Sequence, residues 1–300
     1  MSSVMHHAET LDPEVAAEAK TDLGLLWVEK HGQVLTTSLM EHGYWDPTIS
    51  GLIKRALTKG STFVDVGANI GYFSVLASRL VGPEGRVFAV DPDAVNLSIL
   101  RANLWRQRCS NVTVLPVAAW HEPTHLNIMR PEEEGAVAQV GGEQGGGRLI
   151  PAAPLDDLIP GPVDYIKIDT ELTDHIAVRG AQRILRENPS LLITVEFHPW
   201  EETHTGDSPS DVLEIYKGLG LNAYEISPSG DSLSPTTYER VAAPTLPEDH
   251  NCFDFALSRN LPAPLLRQKA FLEKAGDMLD HVPEPVRPKI RHRDRRPTVE

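Results

Sequence analysis

The chain has 300 residues, of which 41% are hydrophobic and 23% charged, as in ordinary globular proteins. Its formal net charge of -14 argues against a general nucleic-acid binder, because such proteins carry a basic surface. No apolar run approaches the ~20 residues of a membrane-spanning helix, and the first residues lack the apolar core of a signal peptide. The composition therefore predicts a cytoplasmic protein without a membrane or nucleic-acid partner.

The pattern along the chain predicts three parts. Residues 1–50 form an N-terminal extension or lid, in which DPEVAAEAK is a short helix or a loose segment, and short strands or turns surround Trp27 and Trp45. Residues 51–260 form the main domain. Residues 261–300 form an amphipathic helix followed by a disordered tail rich in Pro and Arg. The tryptophan segments and the terminal helix are candidate surfaces for a homodimer.

Strands and helices alternate in the main domain from Ser61 onward. Short apolar runs bounded by Gly or Pro, such as TFVDVG and RVFAVDP, are separated by helical stretches. Runs of this kind are typical of strands that are buried on both faces. The alternation predicts an α/β fold with a doubly wound, mostly parallel sheet.

The first of these strands leads into a loop with an unusual glycine spacing, Asp65-Val66-Gly67-Ala68-Asn69-Ile70-Gly71. A dinucleotide site requires G-x-G-x-x-G and a P-loop ends in Gly-Lys-Ser/Thr, and neither pattern is present. Asp91 ends the next strand, where a carboxylate can accept hydrogen bonds from ribose hydroxyls. The loop favours a nucleoside with a short charged tail, such as S-adenosylmethionine, over a diphosphate. The alternative is that the glycines only make a tight turn.

Acidic residues also follow the fourth strand of the main domain, in YIKIDTELTDH. Strand alternation places Lys167, Asp169 and Glu171 on one side, so a structural Lys167–Asp169 pair is one interpretation. The next strand ends in EFHPW and brings Glu196 and His198 beside Asp169 across the sheet. These residues could hold and deprotonate an acceptor, since an ordinary imidazole pKa near 6.5 suits a general base. A divalent cation with oxygen ligands is the less favoured alternative, so no metal is predicted.

Several of these motifs in series, VDVGANIGYFSVLAS, VFAVDPDAVNLSILRANL, APLDDLIPGPVDYIKIDTE and LLITVEFHP, resemble the FkbM-type family of S-adenosylmethionine-dependent methyltransferases. The resemblance implies a Rossmann-like class I methyltransferase sheet of seven strands, the last of them antiparallel. It also implies methylation of a hydroxyl group, often on a sugar or a secondary metabolite. The chain departs from the family motif at Thr170, Leu172 and Thr173, which lie beside the acceptor position.

The resemblance also assigns roles to individual residues. Those expected to contact the cofactor are Asp65, Gly67, Asn69 and Gly71 at its methionine part, Asp91 at the ribose, Val117 and Ala118 near the adenine, and Asp169. The catalytic candidates are His198, Asp169 and Glu171, and the substrate candidates are Tyr44, Trp45 and Glu196.

The expected reaction is O-methylation of a small molecule or natural-product scaffold. The alternatives are N- or carboxyl methylation of a peptide-like natural product, and a non-catalytic module that binds the adenosyl cofactor. A nicotinamide dehydrogenase is disfavoured by the missing third glycine. The two cysteines, Cys109 and Cys252, have no neighbour at metal-ligand spacing and are expected to be reduced, buried thiols.

Overall fold

The structure is a computed structural model that describes residues 11–32, 34–129, 139–141, 147–244 and 252–266. The strands are β1 (Ala16–Thr21), β2 (Gly24–Glu29), β3 (Thr62–Val66), β4 (Arg86–Val90), β5 (Val112–Leu115), β6 (Ala118–Ala119), β7 (Thr124–Met129), β8 (Gln139–Gly141), β9 (Arg148–Ala153), β10 (Tyr165–Ile168), β11 (Leu192–Phe197), β12 (Asn222–Ile226), β13 (Leu233–Pro235) and β14 (Phe253–Ser258). The helices are α1 (Val34–Glu41), α2 (Pro47–Ala56), α3 (Tyr72–Val81), α4 (Ala94–Arg106), α5 (Leu155–Leu158), α6 (Asp174–Arg179), α7 (Gln182–Glu187), α8 (Pro209–Gly218) and α9 (Tyr238–Ala242).

The main sheet has eight strands in the order β13-β12-β14-β11-β10-β3-β4-β5. The five strands from β11 to β5 run parallel, whereas β14 is antiparallel to both β11 and β12. The predicted α/β class is confirmed, but the predicted count of seven strands is not. The extra strand is β13, which pairs with β12 at the sheet edge and comes from SLSP, a stretch without an apolar run.

Both faces of the main sheet are buried, which explains the continuous apolar runs of its strands. Along β3, Phe63 belongs to one core cluster, and Val64 and Val66 belong to the other. Tyr165 and Ile166 divide in the same way along β10. Alternate side chains of a strand point to opposite faces, so each of these strands contributes to two apolar layers. The two apolar layers hold the strands in position, and the polar residues of the candidate site lie at the ends of these strands.

The N-terminal segment forms a hairpin and not a helix, because β1 pairs with β2 along its whole length. Asn103 of α4 holds this hairpin against the main domain. Its side-chain oxygen accepts from the Trp27 N–H at 2.6 Å, and its Nδ2 donates to the Trp27 and Ile70 carbonyls at 2.9 Å each. The helical propensity of the Ala and Glu residues in β1 is overridden by strand pairing. A single buried side chain thus links the extension to the glycine loop.

A second sheet of four strands, in the order β6-β9-β7-β8, lies between β5 and α5 in the chain. The predicted C-terminal helix and tail lie outside the described residues beyond Leu266, and Ala263–Leu265 form a single 3-10 turn. The predicted boundaries at residues 50 and 260 stay predictions. Among the described residues, none of the helices has the length and apolar character needed to cross a membrane.

Candidate functional site

The glycine loop after β3 is a left-handed turn that points backbone N–H groups at the end of β4. Gly67, Asn69 and Gly71 have φ values of 72°, 51° and 86°. The N–H groups of Gly67 and Ala68 both donate to the Val90 carbonyl, at 2.9 and 3.1 Å. Left-handed backbone suits Gly and, next best, Asn, which accounts for the residue types at these positions.

Gly67 is also required by close approach of another chain segment. A Cβ atom at this position would lie 1.8 Å from the Asp169 carbonyl oxygen. The Asp169 N–H in turn donates to the Val66 carbonyl at 3.1 Å. The loop after β3 and the turn after β10 are therefore packed backbone to backbone, and this contact joins the two predicted halves of the site.

Asp91, at the end of β4, is buried and holds the glycine loop in place. Its carboxylate accepts from the Asn69 N–H at 2.7 Å and from the Asp93 N–H at 2.9 Å. Burial raises the pKa of Asp91 to about 7, although these two hydrogen bonds oppose the shift. The residue predicted to hold a ribose thus fixes the loop that follows β3. Its ribose contact stays a prediction.

Lys167 lies between two carboxylates at the end of β10. Its Nζ is 3.0 Å from Asp169 Oδ2 and 4.0 Å from Asp65 Oδ1, and it lies 5.1 Å from the centre of the Phe73 ring. Burial lowers the pKa of Lys167, but Asp169 and Asp65 outweigh it and hold the pKa above its ordinary value. The Lys167–Asp169 pair anticipated as a structural interpretation is present.

Asp65 is fully buried and only half satisfied. Its Oδ2 accepts from Ser74 Oγ at 2.6 Å, whereas Oδ1 has no hydrogen-bond partner within the described part of the chain. Burial raises the pKa of Asp65, and the nearby charge of Lys167 opposes that shift. A buried carboxylate oxygen without a donor is costly, so this atom is suited to accept from a ligand.

The turn after β10 contains two consecutive left-handed residues that are not glycine. Glu171 has φ 49° and Leu172 has φ 63°. Asp174 anchors this turn, because its carboxylate accepts from the Thr170 N–H at 2.7 Å and from the Glu196 N–H at 2.9 Å. Burial raises the pKa of Glu171 to about 8, and the charges of Asp169 and Glu196 act in the same direction while His198 opposes them. Strained backbone of this kind is found at functional sites.

Glu196 lies between His198 and Cys252 at the ends of β11 and β14. Its Oε2 is 3.0 Å from His198 Nε2, and its Oε1 accepts from Cys252 Sγ at 3.1 Å. Burial lowers the pKa of His198, but the hydrogen bond and the charge of Glu196 outweigh it, so the pKa lies above 6.5. Burial, and then the charge of Glu196, raise the pKa of the Cys252 thiol. Cys252 is free and half-buried, not fully buried as expected.

A small cleft opens beside these residues, between the end of β11 and α8. One of its walls carries a second buried imidazole, His175, whose Nε2 is 3.0 Å from Asp207 Oδ2. The cleft is lined by Leu172, Asp174, His175, Glu196, Phe197, His198, Glu201, Thr203, Pro209, Val212 and Tyr216. This space adjoins Glu196 and His198 and is a candidate for part of an acceptor site. Sequence reasoning missed His175, because it lies inside a helix and its partner is 32 residues away.

Tyr44 and Trp45 precede α2 near these acids. Tyr44 is exposed, and Trp45 packs against the first core cluster. Asp46 caps α2 by accepting from the Ile49 N–H at 2.9 Å. Burial raises the pKa of Asp46 to about 6, with opposed contributions from Lys167 and Asp169. The segment thus lies close to the end of β10, and its predicted contact with substrate stays a prediction.

Val117 and Ala118, at and after the turn that follows β5, are both buried. Val117 packs in the second core cluster, and Ala118 in a small cluster with Trp120 and Ile176. Their predicted place near an adenine stays a prediction.

The residues of the glycine loop fit an adenosyl donor with a charged amino-acid tail. Two buried oxygens, Asp65 Oδ1 and Asn69 Oδ1, have no hydrogen-bond partner among the described residues. Both can accept from an ammonium or a hydroxyl group, and neither can donate, which makes them unsuited to a phosphate. The residues that would hold the donor are therefore Asp65, Asn69 and Asp91, at the ends of neighbouring strands.

Two curated relatives match parts of this chain, and each is described as a "Probable cobalt-precorrin-6B C(15)-methyltransferase (decarboxylating)". The protein from Sulfolobus acidocaldarius is 32% identical over 103 residues, which are 34% of this chain and 51% of that protein. The protein from Sulfurisphaera tokodaii is 27% identical over 79 residues, which are 26% of this chain and 41% of that protein. The chain thus spans about half or less of the length of these relatives.

Solved structures show weaker similarity. A methyltransferase FkbM from Methylobacillus flagellatus KT is 21% identical with a TM-score of 0.41, and the match covers 57% of this chain and 42% of that one. A SAM dependent methyltransferase from Aquifex aeolicus is 18% identical with a TM-score of 0.40, covering 71% and 90%. The model of the Methyltransferase FkbM domain matches residues 65–221, more than half of the chain, from Asp65 in β3 to the residue before β12. The chain belongs to the FkbM methyltransferase domain family.

Proposed function

We propose that this chain transfers a methyl group from S-adenosylmethionine to a hydroxyl group of a small molecule, such as a sugar or a secondary-metabolite scaffold. Membership of the FkbM family supports methyl transfer. The glycine loop supports the donor, since it offers buried acceptor oxygens and lacks the spacing of a pyrophosphate site. The Glu196 carboxylate and the His198 imidazole, which line the cleft beside β11, support a polar acceptor.

One observation carries the proposal. The donor-side loop and the acid-bearing turn after β10 touch through Gly67 and the Asp169 carbonyl, where a Cβ atom would be only 1.8 Å from the oxygen. The groups proposed to bind donor and acceptor are therefore neighbours at the carboxyl edge of the sheet, where ligands of open α/β sheets bind. Holding two reactants side by side supplies several kcal/mol toward a bimolecular reaction.

The chain's own residues would bind and orient the donor. When bound, S-adenosylmethionine supplies an electrophilic methyl group on a positively charged sulfur. Asp65 and Asn69 would accept hydrogen bonds from its tail through their unpartnered oxygens, and Asp91 would accept from its ribose. Lys167 would keep Asp65 and Asp169 in place beside each other, because its ammonium group offsets the repulsion between the two carboxylates.

Glu171 is the better candidate for the base that removes the hydroxyl proton. An effective general base has a pKa near the working pH, and burial raises the pKa of Glu171 to about 8. His198 is less suited, since its ion pair with Glu196 favours the protonated imidazolium, which has no free lone pair. Asp169 is already paired with Lys167 at 3.0 Å. A carboxylate at Glu171 would take the proton as the oxygen attacks the methyl group.

The test has a binding arm and a transfer arm. Calorimetry of the full chain should show one site for S-adenosylmethionine and for S-adenosylhomocysteine and none for NAD. A screen of hydroxylated acceptors with methyl-labelled donor should then give a labelled product. Glu171→Gln should reduce that transfer by about 10²–10⁴-fold and leave donor affinity nearly unchanged.

Glu202→Gln is the matched control, because Glu202 is an exposed acid in the segment that follows β11. It should keep full transfer activity. Binding of NAD alone would overturn the proposal. Donor binding without transfer to any acceptor class would favour a non-catalytic module, and equal losses in both variants would remove Glu171 from the reaction.

A further inference from the structure

The antiparallel ladder of β11 and β14 presents a nitrogen, an oxygen and a sulfur ligand on one face. Glu196 pairs with Asp254 and Phe197 with Phe253, so continuing the register by one residue brings His198 opposite Cys252. Residues two apart on a strand share a face, which places Glu196 and His198 side by side. Directly opposed residues in such a ladder have Cβ atoms about 5 Å apart. The sheet therefore fixes the three positions.

The side chains converge as this register requires. One ligand atom each from Glu196, His198 and Cys252 lie within 4.8 Å of one another. Glu196 bridges the other two through its two oxygens, at 3.0 Å to His198 Nε2 and 3.1 Å to Cys252 Sγ. His198 Nδ1 is buried and has no hydrogen-bond partner among the described residues. The two hydrogen bonds of Glu196 thus link three side chains, and each of the three is of a type that binds metal ions in other proteins.

We propose that Glu196, His198 and Cys252 bind one divalent transition-metal ion of the zinc class. A thiolate, an imidazole and a carboxylate together suit Zn²⁺, whereas Mg²⁺ and Ca²⁺ prefer oxygen ligands alone. Three protein ligands leave one position open, the arrangement found in catalytic rather than structural zinc sites. The inference goes beyond methyl transfer and does not depend on it.

Ion binding replaces the proton-mediated contacts. The Cys252 thiol, which donates to Glu196, loses its proton to solvent and a metal–sulfur bond forms. The imidazole binds in its neutral form, so a proton shared between His198 and Glu196 also passes to solvent. No change of oxidation state is involved, and the charge of the ion balances the protons released.

The surroundings favour a cation at this place. Asp254 lies across the ladder from Glu196, on the same face of the sheet as the three ligands. Lys167 is the nearby cation and is already engaged by Asp169 and Asp65. A divalent ion there would interact favourably with the Glu196 and Asp254 carboxylates.

Cobalt(II) titration of the metal-free full chain tests the site, because a cobalt–thiolate bond has a charge-transfer absorption band. One Co²⁺ per chain should give this band, and one equivalent of Zn²⁺ should remove it. Cys252→Ser should abolish the band, whereas Cys109→Ser, at the other free half-buried cysteine, should retain it. His198→Gln and Glu196→Gln should each weaken Co²⁺ binding by at least about 100-fold.

Absence of the band in the unmodified chain would overturn the proposal, as would its persistence in Cys252→Ser or its loss in Cys109→Ser. If Cys252→Ser does not fold, the unmodified chain still provides a test. Zn²⁺ should then slow the alkylation of Cys252 and leave the alkylation rate of Cys109 unchanged. Mass spectrometry measures both rates. Equal rates with and without Zn²⁺ at Cys252 would contradict the site. Donor calorimetry on the same samples shows separately whether the methyl-donor site is intact.

Discussion

Replacing Gly67 by alanine tests the contact on which the site depends. A Cβ atom there would be 1.8 Å from the Asp169 carbonyl oxygen, and real Cβ atoms essentially never approach closer than 3.0 Å. One of the two segments must therefore move by more than an ångström. That shift disturbs the bonds from the Gly67 N–H to Val90 and from the Asp169 N–H to Val66, which measure 2.9 and 3.1 Å.

The loss of unfolding free energy in Gly67→Ala follows from three contributions. A left-handed alanine costs about 1–2 kcal/mol, overpacking adds about 1–3 kcal/mol, and each weakened backbone hydrogen bond adds about 1 kcal/mol. Because two such bonds are affected, Gly67→Ala should lower the free energy of unfolding by about 4–7 kcal/mol. Gly60→Ala is the matched control, because Gly60 has a φ of 86° and no atom within 4 Å of its Cβ position. It should cost only the left-handed backbone penalty of about 1–2 kcal/mol.

Equilibrium unfolding in urea measures the difference in unfolding free energy between the two variants. The comparison holds if the slope of the free energy against urea concentration is the same in both. Calorimetry with S-adenosylmethionine measures the functional consequence. Gly67→Ala should lose donor binding and Gly60→Ala should keep it. Equal destabilisation of the two variants, or normal donor affinity in Gly67→Ala, would refute the reasoning.

Three further predictions concern the site and its support. The kcat of the unmodified chain should rise with pH through about 8, because the proposed base Glu171 must lose its proton, and Glu171→Gln should remove this dependence in a pH series. Asn103→Ala should lower the free energy of unfolding by about 2–4 kcal/mol in urea, because it leaves buried backbone groups of Trp27 and Ile70 without partners, whereas Asn222→Ala, at an exposed contact, should cost under about 1 kcal/mol. The donor-free chain should lose stability as pH rises from about 4 to about 7. The reason is the raised pKa of Asp91, because in this interval the folded state holds a proton that the unfolded state has released. A melting temperature that does not fall across this interval would contradict the shift.

Sequence patterns predicted the parts of the site that depend on neighbouring residues. The strand, glycine turn and helix around Gly67 are local, and so is the carboxylate that ends β4. The pair between Lys167 and Asp169 follows from strand alternation alone. Each of these features can be predicted from a short stretch without knowledge of the sheet order.

Features that depend on distant pairing were missed. Cys252 meets Glu196 across 56 residues, through an antiparallel ladder that neither segment specifies alone. The N-terminal strand β1 was expected to be helical or loose, because its Ala and Glu residues favour helix, yet pairing with β2 and contact with Asn103 decide its structure. The short edge strand β13 has too few apolar residues to be recognised.

A crystal structure of the full chain soaked with S-adenosylhomocysteine tests the central claim most directly. The account predicts electron density for its amino-acid tail beside Asp65 and Asn69 and for its ribose beside Asp91. Density at another place on the molecule, with the glycine loop free of ligand, would contradict it.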